Sequence, residues 1–215
     1  MQITKYGHCC LLIEIKGKRI LTDLGEFSSG FEDLSDIDVV LITHEHGDHL
    51  HTESLQGILK KNPQAEVVTN ASVGEILAEC DITHTIYEHE QAGSVADIAL
   101  KAYEGKHVEI VGEYGLVQNT GFLLENGQFF YLGDAYTIPE EAITVLALPV
   151  AGPWCKVSEA IAYALKVAPK TVIPVHDAVL SEAGKQVTYP HFERELADNN
   201  IAFTIFPSET NTVTI

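Results

Sequence analysis

An α/β fold in a single domain is the expectation for this chain of 215 residues, and three observations predict it. Short β-branched runs fill both halves, each half supplies strands first and helices later, and no linker-like, low-complexity or repeated stretch divides residues 1–215. At about 150 residues per domain the length suits one large domain or two joined halves. In chain order, residues 9–15 and 19–23 read as strands joined by the tight turn Lys16-Gly17-Lys18. Residues 25–36 are polar and Gly-rich with Phe27 and Phe31 embedded, a loop that could lie over a site, and 37–43 follow as a buried strand. Leu55, Ile58 and Leu59 recur at helical spacing over 52–61, stopped by Asn62-Pro63, and 71–79 is a second short helix. Strand runs then recur at 82–87, 98–103, 120–125 and 128–132, with Asn126-Gly127 as a type I′ hairpin signal. The last third alternates: strand 143–148, helix 157–167, strand 171–175, helix 192–199, strand 201–206.

Composition narrows the function. Hydrophobic residues at 46% and charged residues at 20% exclude general disorder. The net charge is −18, and Arg19 and Arg194 are the only guanidinium groups, so the chain lacks the donors that grip a phosphate backbone and no nucleic-acid partner is expected. The N-terminal residues show no signal-peptide pattern and no apolar run approaches the roughly 18 residues of a membrane span, so a cytoplasmic protein without a membrane partner is expected. Cys9, Cys10, Cys80 and Cys155 have no CxxC spacing and read as reduced, small core residues.

The chemistry lies in His44-Glu45-His46-Gly47-Asp48-His49, where the strand Val39-Val40-Leu41-Ile42 runs out. At this composition, HxHxDH arises by chance on the order of once in 1,000 sequences. Neutral imidazole and carboxylate are the natural ligands of a borderline divalent cation, yet four of them within six residues crowd a single tetrahedral ion. Two metals fit better, with His44 and His46 on one and Asp48 and His49 on the other. Further candidate ligands stand at the ends of apolar strands: His107, Asp134 after Tyr131-Leu132-Gly133, and His176 after Val172-Ile173-Pro174-Val175. Gly133 would let backbone approach the metals.

HxHxDH followed in order by a His, a strand-end Gly-Asp and a His after an Ile-Pro strand resembles the metallo-β-lactamase superfamily. Tyr6-Gly7-His8-Cys9, the small size and Ala147-Leu148-Pro149-Val150 are similar to its stand-alone branch that includes L-ascorbate-6-phosphate lactonase. The resemblance covers nearly the whole chain and implies a four-layer αββα sandwich. It also implies that His44, His46 and His107 hold one metal, that Asp48, His49 and His176 hold the other, and that Asp134 bridges them. The His-Thr-Pro-Gly-His-Thr element of glyoxalase II-like members is absent, with Glu104-Gly105-Lys106-His107 in its place; His84 and His89 are rivals for the third ligand.

The reading is therefore a dinuclear metal-dependent hydrolase carrying two divalent ions, zinc first, with manganese or iron as alternatives. A metal-bound hydroxide would attack a small ester, lactone or related molecule, with Asp48 or Asp134 orienting it or accepting a proton. His8 either closes the first strand or lines the pocket as a substrate contact or proton donor; Asp23 is a candidate orienter of ligand histidines from behind. Tyr136 is either packing or a transition-state donor, Trp154 core or pocket wall, and Glu45, His51, His84, His89 and His191 solvated. The charge of −18 favours a neutral or weakly anionic substrate and weighs against a phosphorylated sugar. A phosphodiesterase or nuclease would need a basic face, and a non-catalytic metal-binding module would carry the same ligands.

Overall fold

The computed structural model describes residues 1–113 and 115–215. The chain opens with β1 (Gln2–Lys5), β2 (Leu11–Ile15), β3 (Lys18–Thr22) and β4 (Val39–Leu41), then α1 (Thr52–Lys61), β5 (Glu66–Thr69), α2 (Ala71–Glu79) and β6 (Thr85–Ile86). It continues with β7 (Ala92–Val95), β8 (Ile98–Lys106), β9 (Gln118–Leu124), β10 (Phe129–Tyr131), β11 (Val145–Pro149), α3 (Val157–Val167), β12 (Thr171–Val175), α4 (Glu182–Ala197), β13 (Ala202–Phe203) and β14 (Thr212–Thr214). The first sheet has the order β14-β1-β2-β3-β4-β5-β6 and the second β13-β12-β11-β10-β9-β8-β7. Both sheets are antiparallel on one side and parallel on the other, the change falling at β3 in the first and at β10 in the second.

Side-chain alternation along the strands makes four layers. Ile13, Ile20, Val39, Leu41, Phe122, Tyr131, Val145, Ala147 and Val175 fill the space between the sheets. Their neighbours Leu12, Leu21, Val40 and Ile42 turn to the other face, against Leu55 and Ile58 of α1 and Val73 and Leu77 of α2. Leu146, Leu148 and Val172 likewise meet Ala160 and Ala164 of α3 and Phe192 and Leu196 of α4. The result is an αββα sandwich, as the sequence led us to expect. Strands buried on both faces explain why their sequences read as near-continuous apolar runs.

The helices 52–61, 71–79 and 157–167 and the strand 171–175 form as expected. The last helix differs: it begins at Glu182, ten residues before the expected start, and runs through Pro190. Pro190 and Gln186, whose carbonyl it leaves unbonded, lie on the exposed side, so solvent meets that carbonyl while Tyr189, Phe192 and Leu196 anchor the buried side. The 82–87 strand shrinks to Thr85–Ile86. The Asn126-Gly127 turn is also wider than a two-residue hairpin: Leu124 pairs with Phe129, and Glu125, Asn126 and Gly127 are all left-handed. The buried Glu125 side chain holds that turn by accepting from Ala99 N–H and pairing with Lys16.

All four cysteines are free; Cys9 and Cys10 are fully buried on opposite faces of the first sheet, and Cys80 and Cys155 are partly exposed.

Candidate metal centre

Residues 44, 134 and 176 each follow shortly on the carboxyl end of β4, β10 or β12, and His107 directly follows β8, so the sandwich delivers all four to one edge. The turn after β4 is tightened by Asp48 and His49, and Gly25 packs against it so closely that a Cβ there would lie 1.8 Å from the Asp48 carbonyl oxygen. This contact fixes the 25–31 loop beside the motif, and places Phe27 over His8 with ring centroids 5.5 Å apart.

The structure brings together every residue of the expected set. Asp134 Oδ2 lies 3.0 Å from His176 Nε2, 3.3 Å from His107 Nε2, 3.4 Å from His49 Nε2 and 3.9 Å from His44 Nε2. Asp48 Oδ2 lies 3.4 Å from His176 Nε2 and 3.3 Å from His8 Nε2. Three clusters have donor atoms within 4.8 Å of one another: His44, His46 and His107; His8, Asp48, His49 and His176; and His44, His49 and Asp134. The rivals stay outside: His84 bonds to the Ile82 carbonyl and His89 is exposed, accepting from Glu104 N–H.

Hydrogen bonds behind the imidazoles decide which nitrogen faces inward. Asp23, wholly buried, sits 2.6 Å from His49 Nδ1 and accepts from the Thr43 amide and hydroxyl and from the Tyr131 hydroxyl. Because the Thr43 hydroxyl donates to Asp23, it accepts from His44 Nδ1 at 3.0 Å, and His107 Nδ1 donates to the Val108 carbonyl at 2.6 Å. All three rings therefore turn Nε2 towards the centre, the arrangement in which outer partners orient metal-ligating histidines. Thr43, Tyr131 and Asn119 were not singled out from sequence. Their signal is a polar group inside an apolar strand run, which has to find a buried partner.

Gly133 has φ +62°, and a Cβ there would lie 2.3 Å from Asn119 Oδ1 and 2.9 Å from Thr43 Cβ. The glycine thus permits close approach to Asn119 and Thr43, with Asn119 Oδ1 accepting from Asp134 N–H at 2.9 Å. His176 is left-handed at φ +61°, a conformation of high cost for a non-glycine residue at a strand end.

Burial pushes His44 well below the ordinary imidazole range and His8 down to about 4, while the carboxylates hold His49 and His176 well above it against the same burial penalty. Burial works against ionising Asp134 as well, but the charges of His176 and His49 keep its carboxyl well below its usual value. Buried His44 Nε2, His49 Nε2, His176 Nε2 and both Asp134 oxygens have no aligned hydrogen-bond partner among the described residues. Convergent, buried nitrogens and carboxylate oxygens with no protein partner are the donor set a divalent cation satisfies, in exchange for the protons on His49 and His176.

Comparison with known proteins accords with this geometry. A family model described as the β-lactamase superfamily domain matches residues 2–176. The chain belongs to the metallo-β-lactamase superfamily. It is 32% identical over 214 residues to the protein Rv0786c of Mycobacterium tuberculosis, covering 98% of each chain. A UPF0173 metal-dependent hydrolase of Pyrococcus abyssi is 27% identical over 192 residues, covering 79% of this chain and 81% of the relative. The solved structure of Igni18, a metallo hydrolase from Ignicoccus hospitalis, superposes with a TM-score of 0.76 at 18% identity over 100% of this chain and 98% of that one.

Beside the candidate centre Trp154 is buried, its ring 5.4 Å from His107 and 5.5 Å from His176. Tyr136 packs on Trp154 and Tyr163 and turns its hydroxyl to Cys155 Sγ, 3.5 Å away. Glu45, expected to be solvated, is half-buried and accepts from the Ser72 hydroxyl. Arg19 pairs with Glu14 and Arg194 with Glu195, so neither guanidinium joins the centre.

Proposed function

We propose that this metal-dependent hydrolase of the metallo-β-lactamase superfamily works through two divalent ions. His44, His46 and His107 would hold one and Asp48, His49 and His176 the other, with Asp134 bridging. The observation that carries the reading is Asp134 Oδ2, which lies within 3.9 Å of four imidazole Nε2 atoms drawn from both triads. When bound, such ions would lower the pKa of a coordinated water toward about 7 and polarise a substrate oxygen. Zinc is the first choice, manganese or iron the alternatives, since the set has nitrogen and oxygen donors and no thiolate.

The chain's own residues supply the rest. Asp23 fixes the His49 ring, the Val108 carbonyl fixes His107, and Asp134 and Asp48 offset the positive charge of the centre. Asp48, 22% exposed at its side chain, is the centre's solvent-facing carboxylate and the better placed of the two to pass a proton outward. Phe27 and Trp154 give the approach an apolar surface, and no arginine is present to bind a phosphate. These features support a small neutral or weakly anionic ester or lactone as substrate; the Tyr6-Gly7-His8-Cys9 start favours the lactone. Metal-loaded protein is expected to hydrolyse members of a panel of lactones, esters and thioesters and to lose that activity on chelation. Turnover confined to phosphodiesters would overturn the substrate class.

A further inference from the structure

His8 carries the inference. Its side chain is fully buried, and its Nδ1 accepts a hydrogen bond from the backbone N–H of Ala178 at 3.2 Å. An amide nitrogen can only donate, so His8 Nδ1 must carry a lone pair and the one proton of the neutral ring sits on Nε2. That is the opposite tautomer to His44, His49 and His107, whose Nδ1 atoms all face acceptors. His8 Nε2 is among the donor atoms gathered around Asp48, His49 and His176, but a protonated nitrogen has no lone pair for a cation. Although Asp48 Oδ2 is 3.3 Å away, the two are not aligned as a hydrogen bond, and His8 Nε2 is a buried donor without a partner among the described residues.

The ring is held rigidly. His176 N–H donates to the His8 carbonyl at 3.1 Å, and the rings of His176 and Phe27 lie 4.0 and 5.5 Å from the His8 ring. Gly7 is left-handed, and a Cβ there would lie 2.9 Å from Ser28 Cα, so any side chain at this position would displace the loop that carries Phe27.

We propose that His8 is a tautomer-locked hydrogen-bond donor that gives its Nε2–H to an oxygen of the substrate beside Asp48, and is not a fourth ligand of the second metal. This rests on the hydrolase reading above for its substrate, while the tautomer stands on the Ala178 contact alone. A donor fixed before the reaction stabilises charge developing on an ester or lactone oxygen without rearrangement, and loss of one such donor typically costs about 100- to 1,000-fold in kcat.

The decisive experiment is ¹⁵N NMR of histidine-labelled protein, metal-free and loaded with ¹¹³Cd, with the His8 signals identified by their disappearance in His8→Gln. In both forms His8 is expected to show a protonated Nε2, an unprotonated Nδ1 and no coupling to cadmium. A ¹¹³Cd coupling to His8, or a proton on its Nδ1, would overturn the proposal. Wild-type protein that binds fewer than two cadmium ions would count against the dinuclear reading and leave the tautomer result intact. Kinetics with 4-nitrophenyl acetate supply the second arm: His8→Ala is expected to lower kcat about 100-fold with KM and metal content nearly unchanged. His8→Gln, which keeps an N–H at the same reach, should recover most of it. Equal losses in the two variants, or loss of a metal ion from both, would contradict the donor role.

Discussion

Asp134→Asn is expected to abolish most metal binding and to lower hydrolysis by more than the roughly 10- to 100-fold that loss of an outer partner of a metal site costs. The substitution keeps the size of the side chain and removes the one charge shared by four imidazoles, at 3.0, 3.3, 3.4 and 3.9 Å. In the proposed centre that charge offsets two dications, so its loss leaves them repelling across a neutral amide in a fully buried site. The fold should largely survive, because Asp134 is held in place through its backbone, by Asn119, and Val108 N–H bonds to its carbonyl. His51→Ala is the control: His51 is half-buried, bonds to Ser54 and Glu53, and lies outside every donor cluster. Metal content and rate in that variant should match the wild type. Comparable metal loss in both variants, or a fully loaded and fully active Asp134→Asn, would show the bridge to be misassigned.

The second large effect is on stability. Lys5 Nζ is buried and bonds to Asp177 and, at 3.0 Å, to the Pro174 carbonyl; Asp177 in turn accepts from the Tyr189 hydroxyl and faces Lys185 at 3.5 Å. This pair lines a cleft of about 770 Å³ whose walls include none of the proposed metal ligands. Burial draws the Lys5 amine below its usual value despite Asp177, and burial of Asp177 is outweighed by Lys5, which holds its carboxyl below its usual value. Asp177→Asn leaves a buried ammonium unpaired, and a loss of about 3–5 kcal/mol in urea unfolding of the metal-free protein is expected. Lys5→Met together with Asp177→Asn should restore most of it, since removing both charges removes the desolvation penalty as well. The sign with pH follows from the depressed carboxyl. The unfolded chain takes up the proton first, so the stabilisation from Asp177 is present above its unfolded value of 3.8 and fades as pH falls through the lower folded value. The gap between wild type and Asp177→Asn should therefore narrow in acid. A gap under about 1 kcal/mol at neutral pH would show that the pair is solvated.

Much of the candidate centre was legible in the sequence because the proposed ligands are histidines and aspartates placed at the ends of apolar strands. The His44 to His49 segment, Asp134 and His176 all sit where a run of apolar residues stops, and the sheets carry those ends to one edge. The αββα layers followed from resemblance, and the three well-bounded helices from their apolar spacing and their stops. Less visible were elements whose burial comes from partners far along the chain. β1 and β14 pair Ile3 with Val213 across nearly the whole chain, and neither is apolar enough to stand out. β7, with Gly93 and Ser94, is largely exposed and exists by pairing with β8. The orienting layer was visible only in Asp23; Thr43, Tyr131 and Asn119 read as ordinary strand residues until their partners are known. The tautomer of His8 depends on an amide 170 residues away, a contact no local pattern encodes.

In the proposed centre, one chain holds two metal ions on two triads joined by Asp134. Elemental analysis of protein purified gently and then equilibrated with excess zinc, manganese or iron tests it most directly. Seven candidate ligands exceed the four that one tetrahedral zinc uses, so about two ions per chain are expected. A plateau at one ion or fewer per chain, with every metal supplied in excess, would contradict it.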